Sequence, residues 1–309
     1  MKITTSEGLV KEVGNNFLSQ HYQSVKSYHN SQNRSRPYKL GAFKGVGLGL
    51  EIEMGNDHLD DILNRLECEY EDYDCEEELV DDYTNQSTYA LNKVVGGLVN
   101  YENDCSVRYG CELITRTMTK EFFDKDFPWE KFEPVVNEWY DEGQNTCGLH
   151  LHISANLLGD VGSQKRRRAL QKLIVFTNYF SRRLTNISGR EDLDQLDEYA
   201  SFYYYGFDYI DTSNVNELKS WSYEALINSG DRYKALNLCN VKRYVDSGCI
   251  DTIEYRFFAS TFKAKRIRAI VDLLWTITKN AKTVSWNNVT NLNCWLKGIK
   301  QETRDTLGI

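Results

Sequence analysis

Three short segments of the chain each place two charged or metal-capable side chains two residues apart: Glu51-Ile52-Glu53, His150-Leu151-His152 and Glu254-Tyr255-Arg256. Each lies in a run that alternates in polarity and is read as a β-strand. On a strand, residues i and i+2 point to the same face. Each segment therefore offers a polar pair on one face and an apolar side chain on the other. Three such strands call for a sheet with one covered face and one polar face. Glu/Glu, His/His and Glu/Arg identities suit a face that holds cations and phosphate.

Composition narrows the class. The 309 residues are 41% hydrophobic and 13% aromatic, which is the makeup of a folded globular protein. The formal charge of -8 argues against a nucleic-acid partner. Nowhere does an apolar run approach the roughly 20 residues that cross a bilayer. Eight cysteines occur without a Cys-x-x-Cys pair, and the N-terminal stretch lacks an apolar signal core. Reduced thiols in a cytoplasmic protein are expected. The basic run Lys165-Arg166-Arg167-Arg168 reads as a solvated helix face, with phosphate binding as the alternative.

Periodicity and punctuation give the elements. Residues 1–44 form an N-terminal arm with a helix near Glu7 to Lys26. Lys44 to Met54 is a strand and Leu59 to Leu66 a helix. The acidic stretch Glu67 to Asp82 is a solvated helix or insertion. Cys105 to Thr117 reads as a strand pair or one bent strand. Helices follow at Trp129–Asp141, Gln164–Thr185, Ser220–Asn228 and Thr261–Lys282, and strands at Gly148–Asn156, Ala235–Val241 and Thr252–Ala259. The expected architecture is α+β: an antiparallel or mixed sheet with helices on one face and an open second face. Residues 45–285 form its one domain, and 286–309 a helical tail.

Each polar segment has a plain structural reading beside a functional one. Glu51 and Glu53 are either solvated or held close together, where a divalent cation removes their repulsion. His150 and His152 are two of only five histidines. They share a strand face, with Asn145 and Ser154 nearby, as satisfied structural residues or as ligands. Glu254 and Arg256 are a same-face ion pair, or a metal ligand beside a permanent, forked phosphate donor. Glu112 is a single carboxylate in an apolar strand, which is costly unless paired or metal-bound. Asp104 and Ser106 precede it on a turn. Arg232 stands before a strand, on the surface or against a phosphate or carboxylate. The run Phe202 to Phe207 is packing material or an aromatic wall for substrate.

Taken in order, these segments resemble the amidoligase family, a branch of the glutamine synthetase and glutamate-cysteine ligase superfamily. The resemblance rests on Gly49-Leu50-Glu51-Ile52-Glu53, Asp104-Cys105-Ser106, Gly110-Cys111-Glu112-Leu113, Cys147 to Ser154, Arg232 to Asn237 and Ile253-Glu254-Tyr255-Arg256. It implies a glutamine-synthetase-like sheet forming an open, funnel-like active site that uses ATP with Mg²⁺ or Mn²⁺. By that analogy Glu51, Glu53, Glu112, His150 and Glu254 are metal ligands. Arg256 meets the γ-phosphoryl group, and His152 faces nucleotide or substrate. Asn145 and Ser154 are placed with the nucleotide, and Arg232, Asp104 and Ser106 with the substrate. The family's usual proline after the middle glutamate strand is replaced by Thr115-Arg116-Thr117.

The reaction this implies is ATP-dependent amide formation between a carboxylate and an amine, on an amino acid, peptide, protein or other small molecule. One alternative is a metal-dependent hydrolase using the same His/Glu set with Zn²⁺ and water. Another is a non-catalytic binding protein that keeps the fold.

Overall fold

The alternation of Leu48–Met54 becomes a seven-residue strand, and its apolar half is driven inward: Leu48, Leu50, Ile52 and Met54 are all buried. This strand belongs to a computed structural model describing residues 1–4, 10–12, 23–27, 39–41, 45–142, 146–241 and 251–309. The chain divides into two compact units. One comprises Met1–Leu149 with Ala259–Ala264, the other His150–Phe258 with Lys265–Ile309.

In the first unit, β1 (Lys2–Thr4), β2 (Val10–Glu12) and β4 (Lys39–Leu40) form a small antiparallel sheet in the order β2-β1-β4. A separate two-residue strand, β3 (Val25–Lys26), lies between β2 and β4 in the chain. The helix expected over Glu7 to Lys26 is therefore corrected where the chain is described: Val10–Glu12 and Val25–Lys26 are strands. Helix propensity is a weak prior, and pairing with a neighbouring strand overrides it. The rest of that range lies outside the described residues.

Next come β5 (Leu48–Met54), α1 (Leu59–Leu66), α2 (Glu76–Val95), β6 (Val99–Glu102) and β7 (Cys111–Thr115). The acidic stretch turns out to feed α2. Glu76, Glu77 and Glu78 fill its first turn, where the helix dipole favours negative charge. The strands run in the order β3-β6-β7-β5. The β3–β6 pairing is parallel, while β6–β7 and β7–β5 are antiparallel. Of the strand pair or bent strand expected at Cys105–Thr117, only Cys111–Thr115 is strand; turns lead into it. α3 (Lys120–Lys125) starts at Thr119, whose hydroxyl accepts from Phe122 N–H at 3.0 Å. α4 (Trp129–Trp139) follows, with Trp129 packed edge-on against Phe123 and Phe132. β8 (Gly148–Ser154) begins at the end of this unit.

The second unit takes up β8 at His150 and continues with α5 (Gln164–Tyr179), α6 (Ser181–Ser188), α7 (Leu193–Ala200) and α8 (Val215–Ile227). Then come β9 (Leu236–Asn237), β10 (Thr252–Ala259), α9 (Ala264–Asn280), α10 (Leu292–Trp295) and α11 (Gln301–Leu307). β10 lies between β8 and β9. Ile267, Ile270, Val271, Leu274 and Ile277 of α9 are fully buried, as their helical spacing predicts.

The basic run at the start of α5 departs from its reading at one position. Lys165, Arg167 and Arg168 are exposed, but Arg166 is buried and pairs with Asp251 through both guanidinium nitrogens, Nη1 to Oδ2 at 2.9 Å. A buried guanidinium needs such a fork-to-fork partner. The α+β class with antiparallel and one parallel pairing is as expected. No described helix is long and apolar enough to cross a membrane.

Candidate active site

In the first unit, strand register builds the site. Glu53 of β5 stands directly opposite Glu112 of β7, and Glu112 directly opposite Glu102 of β6. Directly opposed residues share a face. Three carboxylates thus lie in one row across three adjacent strands. All are buried, with Glu53 6%, Glu112 5% and Glu102 3% exposed. Glu51 is two residues from Glu53 on the same face. The opposite face carries Ile52, Leu113 and Tyr101, all in the core.

The row is held in place by backbone and hydroxyl groups. The Gly148 N–H donates to Glu53 Oε2, and the Ser260 hydroxyl donates to the Glu53 carbonyl at 2.6 Å. Gly110 lets β7 start close against β5. A Cβ there would overlap the Met54 carbonyl oxygen and come within 2.7 Å of Gly55 Cα. At the end of β7, Thr115 Oγ1 accepts from Leu50 N–H at 2.8 Å and Arg116 Nε donates to the Gly97 carbonyl at 3.0 Å. These bonds fix the end of β7.

Asp104 joins the row from the turn after β6. Its Oδ1 accepts from Ser106 N–H at 2.8 Å and from the Ser106 hydroxyl at 2.6 Å. One oxygen each from Glu53, Asp104 and Glu112 lie within 4.8 Å of one another. The electrostatic consequence falls on Glu112. Burial pushes its carboxyl well above the usual carboxylate range, and Glu51, Glu53, Asp104 and Glu102 push it further. Hard oxygen donors so close together suit a hard divalent cation such as Mg²⁺, whose charge offsets their repulsion.

In the second unit, β8 puts His150, His152 and Ser154 on one face, with Leu151 and Ile153 buried on the other. His150 is buried and His152 half-buried, with Nδ1 3.4 Å from Thr252 Oγ1. On β10, Glu254 stands opposite Asn237 of β9, whose Nδ2 donates to Oε2 at 2.6 Å. Arg256 Nη1 donates to Oε1 of the same carboxylate at 2.5 Å. Asn237 and Arg256 therefore fix both oxygens of Glu254. Each oxygen keeps a second lone pair for another partner. Arg256 N–H also bonds the Ala235 carbonyl at 3.0 Å, which carries the ladder past β9.

Arg232 lies on the surface before β9, its guanidinium 4.9 Å from the Tyr233 ring centre. Asn145 lies outside the described residues. Two functional candidates went unremarked in the sequence. Glu102 ends Val99-Asn100-Tyr101-Glu102, a short alternating strand just after Gly96-Gly97. Its parity was readable, but its register with Glu112 was not. Asn237 ends Ala235-Leu236-Asn237, and only the pairing with Glu254 marks it.

No curated protein and no solved structure matches this chain significantly. A family model described as "Putative amidoligase enzyme" matches residues 46–278, which span β5, β7, β8 and β10 with every described side chain above. The chain belongs to the amidoligase family.

Proposed function

We propose that this protein is an ATP- and Mg²⁺-dependent carboxylate-amine ligase that forms an amide through an acyl phosphate. The observation that carries the reading is Glu112, buried in line with Glu53 and Glu102, with carboxylates as its strongest charged neighbours. A fold that kept such a group for stability alone would lose by it, since each added negative charge opposes the next. A site that binds cations gains from it.

In this reading Glu51, Glu53, Glu112, His150 and Glu254 hold Mg²⁺ or Mn²⁺. Bound there, the ions would supply positive charge to the phosphate oxygens of ATP. Asp104, held by Ser106, lies close enough to Glu53 and Glu112 to share that task or to orient substrate. Arg256 meets the γ-phosphoryl group, where a permanent guanidinium stabilises the charge that spreads over the transferring oxygens. Its bond to Glu254 holds the guanidinium in place before substrate arrives. His152, Ser154 and Asn145 are assigned to the nucleotide, and Arg232 to the carboxylate substrate. A carboxylate of the substrate attacks the γ-phosphorus, ADP leaves, and the amine then displaces phosphate from the acyl carbon.

Calorimetry of the full chain with Mg²⁺ and ATP tests the reading. Saturable binding that is lost in Glu254→Gln supports it, and no binding by the wild-type chain ends it. Release of ADP across a panel of amines and carboxylates, with the product weighed by mass spectrometry, then separates a ligase from a hydrolase that turns over without ATP.

A further inference from the structure

Between Arg190 and Lys219 the chain has eight acidic residues, five tyrosines and no lysine or arginine. Two readings compete for this segment: ordinary packing, or a surface that recognises something. The structure splits it residue by residue. Phe202 packs on Phe257 at 5.1 Å, Phe207 on Trp221 at 4.7 Å, and the buried Tyr204 donates its hydroxyl to the Leu236 carbonyl at 2.9 Å. Those three anchor the segment. The segment's other four tyrosines point out: Tyr205 is 86% and Tyr209 84% exposed, and Tyr199 and Tyr203 are also exposed. Asp194, Asp197 and Asp208 of the same segment are exposed as well.

The segment is also wired to the candidate catalytic strand. Ser201 N–H bonds the Tyr233 carbonyl, Ala235 N–H bonds the Ser201 carbonyl, and Arg256 N–H bonds the Ala235 carbonyl, at 2.9, 2.9 and 3.0 Å. Two backbone hydrogen bonds thus separate Ser201 from Arg256.

We propose that this acidic, tyrosine-studded surface of the second unit docks a lysine-rich peptide segment, the bearer of the amine that the ligase acylates. The proposal rests on the ligase reading and names its amine substrate class. Exposed aromatic faces attract ammonium groups, and surrounding carboxylates raise the local concentration of cations and steer them in. Small ligands bind in concave pockets. These tyrosines stand out from the surface, which favours an extended chain with spaced charges over a small polyamine.

The test is fluorescence anisotropy of a labelled dodecapeptide of alternating lysine and serine, added to the full chain, with Mg²⁺–ATP binding measured in parallel. Micromolar binding that weakens as salt rises is expected. Tyr205→Ser/Tyr209→Ser and, separately, Asp194→Asn/Asp197→Asn should each weaken it by about ten-fold. Both variants should keep Mg²⁺–ATP affinity, which also shows that they fold. Absence of peptide binding beside intact Mg²⁺–ATP binding overturns this proposal and leaves the ligase reading standing. Absence of Mg²⁺–ATP binding by the wild type overturns the ligase reading and, with it, the assignment of the peptide as the amine substrate. Spermine competing as strongly as the peptide, or a dimer in sedimentation that the tyrosine variant abolishes, would assign the surface to a small polyamine or to a second copy and overturn the proposal.

Discussion

Glu53 and Glu112 face each other directly across an antiparallel strand pair, both buried, in an arrangement that raises the Glu112 carboxyl well above its usual range. Two buried carboxylates in register oppose folding unless a proton or a cation joins them.

The pH dependence follows from that sign. A carboxyl with a raised folded pKa binds more protons in the folded state than in the unfolded state. Without metal, stability should fall as pH rises from the ordinary carboxylate range through the raised value of Glu112. Glu112→Gln removes the group and should raise the metal-free melting temperature at neutral pH by a few degrees. Added Mg²⁺ should stabilise the wild type and leave the variant nearly unmoved. Scanning calorimetry across pH, with and without Mg²⁺, checks both; equal Mg²⁺ effects in the two proteins would remove Glu112 from the proposed metal ligands.

Under the proposed ligase function, Arg256→Lys should keep nucleotide binding while turnover drops by about 10²–10³, the usual cost of removing one oriented charge donor from a transition state. Lysine keeps the charge but lacks the planar guanidinium whose Nη1 bonds Glu254. Single-turnover ADP release beside calorimetric ATP affinity separates the two effects, and unchanged turnover would take Arg256 out of the mechanism.

Gly110→Ala should destabilise the protein by about 3 kcal/mol, since the new methyl meets the Met54 carbonyl and backbone must shift. The displacement would fall on the opening of β7 and so on Glu112. Denaturant titration gives the stability loss, and Mg²⁺ affinity should drop with it.

Asp251→Ala should cost about 3–5 kcal/mol by leaving the buried Arg166 guanidinium without its carboxylate. Arg166→Met in the same chain should recover a large part of that loss, because an apolar side chain of similar length needs no partner. A double-mutant cycle in urea measures both.

Which polar side chains of the candidate site share a strand face could be read from the sequence because strand parity is a local property. Glu51 with Glu53, His150 with His152 and Glu254 with Arg256 share their faces, and the apolar residues between them are buried as alternation requires. Helix α9 was equally legible, since its buried stripe follows the helical period. The short strands at the N-terminal end were not, because three residues carry too little pattern to outweigh a helical bias.

Sequence alone therefore determined which side chains can share a face: that depends only on the two-residue repeat of an extended backbone. Tertiary structure decided which faces meet in register. It set Glu53, Glu112 and Glu102 in one row, gave Glu254 its Asn237, and buried Arg166 against a partner 85 residues away. Register is fixed by pairing between strands distant in the chain. A slip of one residue would turn every glutamate to the other face, and no local pattern encodes that choice.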